Sequence, residues 1–451
     1  MAERDEQLQP YQVNEEDVGR KPTDEELNKH AVAPGRPADV PVGIMYQGAW
    51  RRKADGMARH VREQVRALAM YLPVNLASIG PSEVLDHDLE PEALDLAGYL
   101  PNVHCSRYPC AIRHIVFNNV DQLRAAVSPA GARLCEAALE ELVWESTIVY
   151  TSWERDRIAD EMVRELNRCG QVWVPCKANY EAFLTSGVLE KRLRVVPYPY
   201  DPATHAATKI ALPRGKEKVP SGRRFYAIGK WEPRKGYDNL IGAFLLAFKP
   251  TDRVSLTLKT FGWGKWKEYP TIQESAKRWV NDPAVVANGW TQKSIAKVFL
   301  LLDAQLTDAE ITQLHERNNI YVSCSAGEAH DIPAFDSRCA GNSLVHVGYG
   351  GSEDYTVDDG ERFVRVPHTM GPVHVTYGWE PGAQWAHYRM EDLVEALRKA
   401  KPPARRIHPM DFPGRFGRAA VGAVMRDHVL GVVGDMNWEL AEELRKAGSF
   451  G

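Results

Sequence analysis

Short runs of β-branched and aromatic residues recur along this chain, and amphipathic segments separate them. The first series comprises residues 40–46 (VPVGIMY), 74–79, 112–117, 147–150 (TIVY), 171–175 (QVWVP) and 195–197. Between them lie Met57, Val61, Val65, Leu68 and Leu72, then Ile158, Met162 and Leu166, at helical steps of three and four. Runs this short and this apolar have no polar face to give to water. They fit strands of a parallel sheet covered by helices on both faces.

A second series begins at 224–228 (RFYAI) and continues at 254–260, 320–323, 344–347 and 363–367. Within it, Thr307 and Glu310 have capping-box spacing ahead of Ile311 and Leu314. Residues 203–222 (ATHAATKIALPRGKEKVPSG) carry no such periodicity and read as a connection. The expected class is therefore α/β, with two Rossmann-like domains facing each other across a ligand cleft at the carboxyl ends of their strands. The expected boundaries are a loosely docked polar tail at 1–38, an N-terminal domain at 39–205 and a linker at 206–222. A C-terminal domain at 223–404 and a helical segment at 405–451, packing back on the N-terminal domain, complete the chain.

Composition narrows the function. In 451 residues, 44% are hydrophobic and 26% charged, and the net charge of −4 gives no general basic footprint for nucleic acid. No apolar run approaches the ~20 residues of a membrane span. The polar start has no signal-peptide core, so a cytoplasmic location is expected. Seven cysteines without a C-x-x-C pair argue against a disulfide framework or a zinc site. Asp86-His87-Asp88 has a D-x-D form but lies in a polar, cap-like segment of the first half, and no metal is expected.

Two segments of the second half carry candidate chemistry. After the strand at 224–228, Gly229-Lys230-Trp231-Glu232-Pro233-Arg234-Lys235-Gly236 turns into a helix. The glycines permit close backbone approach, and Lys230 and Lys235 bracket the turn, where both ammonium groups can face one anion such as a pyrophosphate. After the strand at 320–323, Glu328 stands in a loop and Asp336 at the head of the next helix. Carboxylates accept paired hydrogen bonds from vicinal hydroxyls, and the backbone N–H groups of Asp331 and Ile332, at a helix start, can meet phosphate. Gly350-Gly351-Ser352-Glu353-Asp354 forms a further flexible loop.

Taken together and in order, these segments resemble the family 4 retaining glycosyltransferases of GT-B fold. The family's G-R-L-x-x-x-K-G is similar to Gly229–Gly236, its E-x7-E region to the stretch from Glu328, and its G-G-x-x-E/D loop to the stretch from Gly350. In the first half, Asp55-Gly56 with His60-Val61 resembles the G-G-x-x-x-H-V segment. Trp173-Val174-Pro175-Cys176 with Val196-Pro197-Tyr198 resembles its W-V-P-S and V-V-P-N runs. The likeness covers about residues 40–400. It departs from the family at Lys230 (usually Arg), at Asp336 (usually Glu), at Asp55 (usually Gly) and at Ala329-His330-Asp331 (usually Gly-Phe-Gly).

The resemblance implies a metal-independent hexosyltransferase-type enzyme with no cofactor. Its donor would be a UDP- or GDP-sugar, and its acceptor a hydroxyl of a glycan, lipid, small molecule or modified nucleobase. It further implies that Lys230 and Lys235 hold the diphosphate, Glu328 the transferred sugar and Asp336 the ribose. Gly56, Gly229, His330, Asp331 and Ile332 line the donor site, His114 touches the sugar, with His60 and His104 as competitors, and Glu154 lies on the acceptor side. The lysine- and aromatic-rich run at 261–267 leaves open a DNA- or nucleobase-modifying transferase of phage type. The altered motif positions leave open an inactive sugar-nucleotide-binding module.

Overall fold

The computed structural model describes residues 39–50, 56–78, 104–117, 119–127, 144–200, 222–261, 269–303, 306–356, 360–373, 382–404 and 414–448. The Asp86–Asp88 triplet, Asp55, residues 262–268 and the connection at 201–221 lie outside them. The chain divides into two compact units.

The first unit is built on six strands: β1 (Asp39–Gly48), β2 (Val74–Ser78), β3 (His104–His114), β4 (Thr147–Tyr150), β5 (Gln171–Val174) and β6 (Leu193–Val195). They lie in the order β2-β1-β3-β4-β5-β6 with every pairing parallel. Both faces are covered, as the sequence requires. In β4, Ile148 and Tyr150 enter one apolar cluster while Val149 enters the other; in β5, Trp173 and its neighbours Val172 and Val174 divide in the same way.

Helices Arg418–Met436 and Trp438–Gly448, from the end of the chain, belong to this unit. Val421, Met425, Val429 and Val433 enter the cluster formed by helix Gly56–Ala69 and the β1 face. The two backbones come close: a Cβ on Gly422 would sit 2.1 Å from the Ala67 carbonyl oxygen. Arg418 also reaches the Glu63 carboxylate at 2.8 Å.

The second unit has β7 (Arg223–Ile228), β8 (Val254–Thr260), β9 (Phe299–Asp303), β10 (Ile320–Ser323), β11 (Ser343–Val347) and β12 (Phe363–Val366), in the order β12-β11-β10-β7-β8-β9, again parallel throughout. An antiparallel pair, β13 (Thr369–Pro372) and β14 (Gln384–His387), accompanies it. Two Rossmann-like parallel sheets are thus present, each with its own core.

In the second sheet the chain runs outward from β7 through β8 to β9, then returns to lay β10 against the other side of β7. The loops leaving β7 and β10 therefore diverge, one to each side. This is the topological switch point, where open α/β sheets bind ligands beyond the strand carboxyl ends. The corresponding point of the first sheet lies between β1 and β3.

Candidate functional site

The loop leaving β7 is folded tightly for a local reason. A Cβ on Gly229 would sit 2.4 Å from the Tyr237 hydroxyl, so the chain can turn here only without one. A single 3-10 turn, Pro233–Lys235, follows and ends at Gly236 in the left-handed region at φ 65°. A Cβ there would press within 2.7 Å of the Cys324 carbonyl oxygen. Helix Tyr237–Ala247 starts at once, so Lys235 stands directly before it.

The loop leaving β10 is stitched to that turn. The Ala326 N–H donates to the Arg234 carbonyl at 2.8 Å, and the Ser325 hydroxyl donates to the same oxygen at 3.2 Å. The buried Arg234 guanidinium donates to the Gly327 carbonyl at 2.6 Å and to Glu232 at 2.6 Å, and lies 3.1 Å from Glu328. Lys235 forms an ion pair with the same Glu328 carboxylate. Burial alone would raise the Glu328 carboxyl, but the Lys235 and Arg234 charges outweigh it and hold it down at about 2. Burial likewise works against the Lys235 ammonium, yet Glu328 leaves it above its ordinary range.

A third loop braces the second from behind. Gly350 has φ 92°, and a Cβ on it would lie 2.3 Å from the Glu328 carbonyl oxygen. The Gly351 N–H donates to that oxygen at 3.1 Å. The Tyr355 hydroxyl donates to the His330 carbonyl at 3.0 Å. His346, at the end of β11, fixes this third loop through the Ser352 and Thr356 hydroxyls at 3.0 and 3.2 Å.

Asp331 opens helix Ile332–Cys339 with φ 59° and ψ 64°, and among the described residues it alone has a positive φ without being glycine. Its carboxylate is buried and accepts from the Ser323 hydroxyl. Burial, aided by Glu328, pushes it up to about 6. Asp336 is not at the head of the helix, as the sequence suggests, because the helix begins at Ile332. It sits on the inner face, 3% exposed, where its charge acts on buried His330. Burial pulls His330 down to about 3, so its ring is neutral, packed 4.9 Å from Phe335.

The structure therefore gathers Gly229, Lys235, Glu328, His330, Asp331, Ile332 and Asp336 around one switch point. Lys230 is exposed on the same turn, while Lys235 is folded against Glu328; the two ammonium groups do not share one environment. Sequence reasoning passed over Arg234 and Glu232. The signal was an acid and a base two positions apart in Glu232-Pro233-Arg234, opposite charges that pair when they are buried.

His114, Gly56 and Glu154 belong to the first unit. His114 ends β3, rather than lying near a strand start as expected, because β3 begins at His104. It is 2% exposed at that sheet's switch point. Its Nδ1 lies 2.9 Å from the Tyr46 hydroxyl, which donates to Gln64 at 2.5 Å, and its ring meets that of His60 edge-on at 4.9 Å. Burial pulls it down to about 3, so it is a neutral hydrogen-bonding group there. Gly56 is the exposed first residue of its helix. Glu154 is half-buried after Trp153, whose backbone N–H and C=O are both held by the Asn179 amide at 2.9 and 2.7 Å.

Among the described residues, no group of three or more His, Cys, Asp or Glu could hold a metal ion, and no helix is long and apolar enough to cross a membrane. The chain matches no protein-family model and no curated protein. Solved structures similar to it include Anabaena Alr3699/HepE in complex with UDP and glucose, at 11% identity and a TM-score of 0.48, covering 89% of this chain and 100% of that one. The sucrose-phosphate synthase of Thermosynechococcus elongatus is similar at 14% identity and a TM-score of 0.48, covering 90% and 98%. The trehalose-6-phosphate synthase OtsA is similar at 11% identity and a TM-score of 0.48, covering 88% and 98%.

Proposed function

We propose that this chain transfers a glycosyl group from a nucleoside-diphosphate sugar to a hydroxyl acceptor, with retention of anomeric configuration. One observation carries the reading. A lysine, an arginine and a glutamate are locked together at the switch point of a parallel sheet ordered 3-2-1-4-5-6, on loops that glycines let pack tightly against one another.

In this reading Lys235 takes the diphosphate, with Lys230 at the exposed edge of the turn and the backbone N–H groups of Asp331 and Ile332 facing the same charge. Glu328, held down at about 2, is ionised at neutral pH and accepts from hydroxyls of the transferred sugar. Asp336 is assigned to the ribose hydroxyls. His114, being neutral, would hydrogen-bond a sugar hydroxyl and is not a strong base; Gly56 and Glu154 are assigned to the donor and acceptor sides of the first unit.

The acceptor oxygen bonds to the anomeric carbon on the face that the diphosphate leaves. The anomeric C–O bond breaks, and the acceptor proton passes to a diphosphate oxygen. The sugar is oxocarbenium-like at the transition state, and the leaving charge is what the protein must stabilise. No protein nucleophile is required, and none is assigned. The test is the product configuration. An α-linked sugar nucleotide, turned over with water or a simple alcohol and followed by proton NMR, should release the α-anomer first; the β-anomer appearing first would refute retention.

A further inference from the structure

We propose that Asp331 is the proton-holding residue of this site: a nucleoside-diphosphate sugar binds together with one proton, which comes to rest on the Asp331 carboxyl. This rests on the diphosphate reading above and adds to it which charge balance the site adopts.

Among the described residues, the linked cluster holds three carboxylates, Glu232, Glu328 and Asp331, against two cations, Arg234 and Lys235, and a fourth buried carboxylate, Asp336, stands beyond His330. Glu232 is paired with Arg234, and Glu328 with both Arg234 and Lys235. Asp331 is the third, and among the described residues its side-chain partner is the Ser323 hydroxyl, with the Ala334 backbone N–H. The cluster is therefore one negative charge in excess before any anion arrives.

Among the described residues, ionisable groups reach Asp331 from several elements, with Asp336 beyond His330 and Arg234 beyond Glu328. Lys235 comes from the turn after β7, Tyr237 from the helix behind it, Tyr321 and Cys324 from β10 and its end, Glu328 and His330 from the same loop, and Tyr355 from the loop after β11. Burial drives the three tyrosines up and Cys324 up to about 12, and it leaves His330 neutral. Of the groups just named on these elements, Lys235 and Glu328 are the charged ones near neutral pH. Glu328 cannot take the proton without forfeiting two cations. Asp331, already pushed up to about 6 by burial and by Glu328, can.

The sign follows. A diphosphate at Lys235 adds negative charge beside Asp331 and draws off part of the one cation that favours its ionised form. Both effects raise the carboxyl further, so binding takes up a proton, and affinity falls as pH rises above about 6. The backbone makes a clean test available. At φ 59° a side chain is strained, but Asn tolerates this region better than most residues and Gly accepts it freely. Asp331→Asn is the neutral counterpart of the protonated acid and has nearly the same size and shape.

The experiment is calorimetric titration of the full chain with UDP-, GDP- and ADP-glucose in two buffers of different ionisation enthalpy at pH 7. The diphosphates of these probes are esterified at both ends and do not titrate in this range. For the wild type, the difference in heat should report uptake approaching one proton per nucleotide, and affinity should fall about tenfold or more between pH 6 and 8. Asp331→Asn, or Asp331→Gly should the first fold poorly, should show neither. Wild-type binding with buffer-independent heat, or the same uptake in both variants, would overturn the proposal and leave the diphosphate reading standing. Failure of all three probes to bind would overturn both.

Discussion

At the scale of single residues, the site is organised by an ion pair that is mostly out of water. Removing one member of such a group leaves its partners uncompensated, which costs more than the pair contributes. Glu328→Gln strands Lys235 and leaves Arg234 with Glu232 alone, and should destabilise the second unit on the order of 3 kcal/mol at pH 7, read from urea unfolding. The pH dependence has a definite sign. Glu328 is held below its unfolded value, so its contribution is present above about 4 and lost as pH falls toward about 2. Wild type and Glu328→Gln should converge in stability across that acid window. A gap that persisted to pH 2 would mean the carboxylate acts other than by its charge.

Gly350→Ala tests the brace behind the site. A methyl group there meets the Glu328 carbonyl oxygen at 2.3 Å on a backbone of φ 92°. A stability loss of about 1–3 kcal/mol is expected, with weakened sugar-nucleotide binding because the Glu328 loop must shift. Unchanged binding would show that the brace does not set the position of Glu328. Lys235 and Glu328 were legible as residue types at a spacing. Their pairing with each other was not, because ninety-three positions separate them in sequence and only the β7–β10 adjacency brings them together. Asp331 was read for its N–H alone; its carboxyl points into the site only because of a left-handed backbone that no spacing announces.

At the scale of elements, the strands with continuous apolar runs were readable and those fused to their neighbours were not. β4, β5, β8, β10 and β11 stand out because every residue is buried. β9 follows helix Gln292–Val298 without a break, so its Phe-Leu-Leu-Leu reads as more of the helix. The β13–β14 pair escaped because its strands are short and β13 is largely exposed. Helix packing has its own weak point at Gly242, where a Cβ would meet the Trp279 ring at 2.2 Å. Gly242→Ala should cost about 1–3 kcal/mol in overpacking, despite the better helix propensity of alanine. A stabilised variant would contradict the close helix contact.

At the scale of the whole molecule, two units have separate cores, and helices Arg418–Met436 and Trp438–Gly448 complete the first of them. Deleting residues 414–451 removes Val421, Met425, Val429 and Val433 from that core and should unfold the first unit while the second unit's sheet, whose strands all lie before residue 405, keeps its own transition. A sugar nucleotide should raise the second unit's transition by mass action, about 2.7 kcal/mol at a hundredfold excess over Kd. The central claim is that Lys235 receives the diphosphate at the β7–β10 switch point. Its most direct test is donor turnover by wild type and Lys235→Ala, offered UDP-, GDP- and ADP-sugars. The account predicts that wild type cleaves at least one of them, and that the variant is slower by about a hundredfold or more while remaining folded. Equal turnover by the two proteins would contradict it.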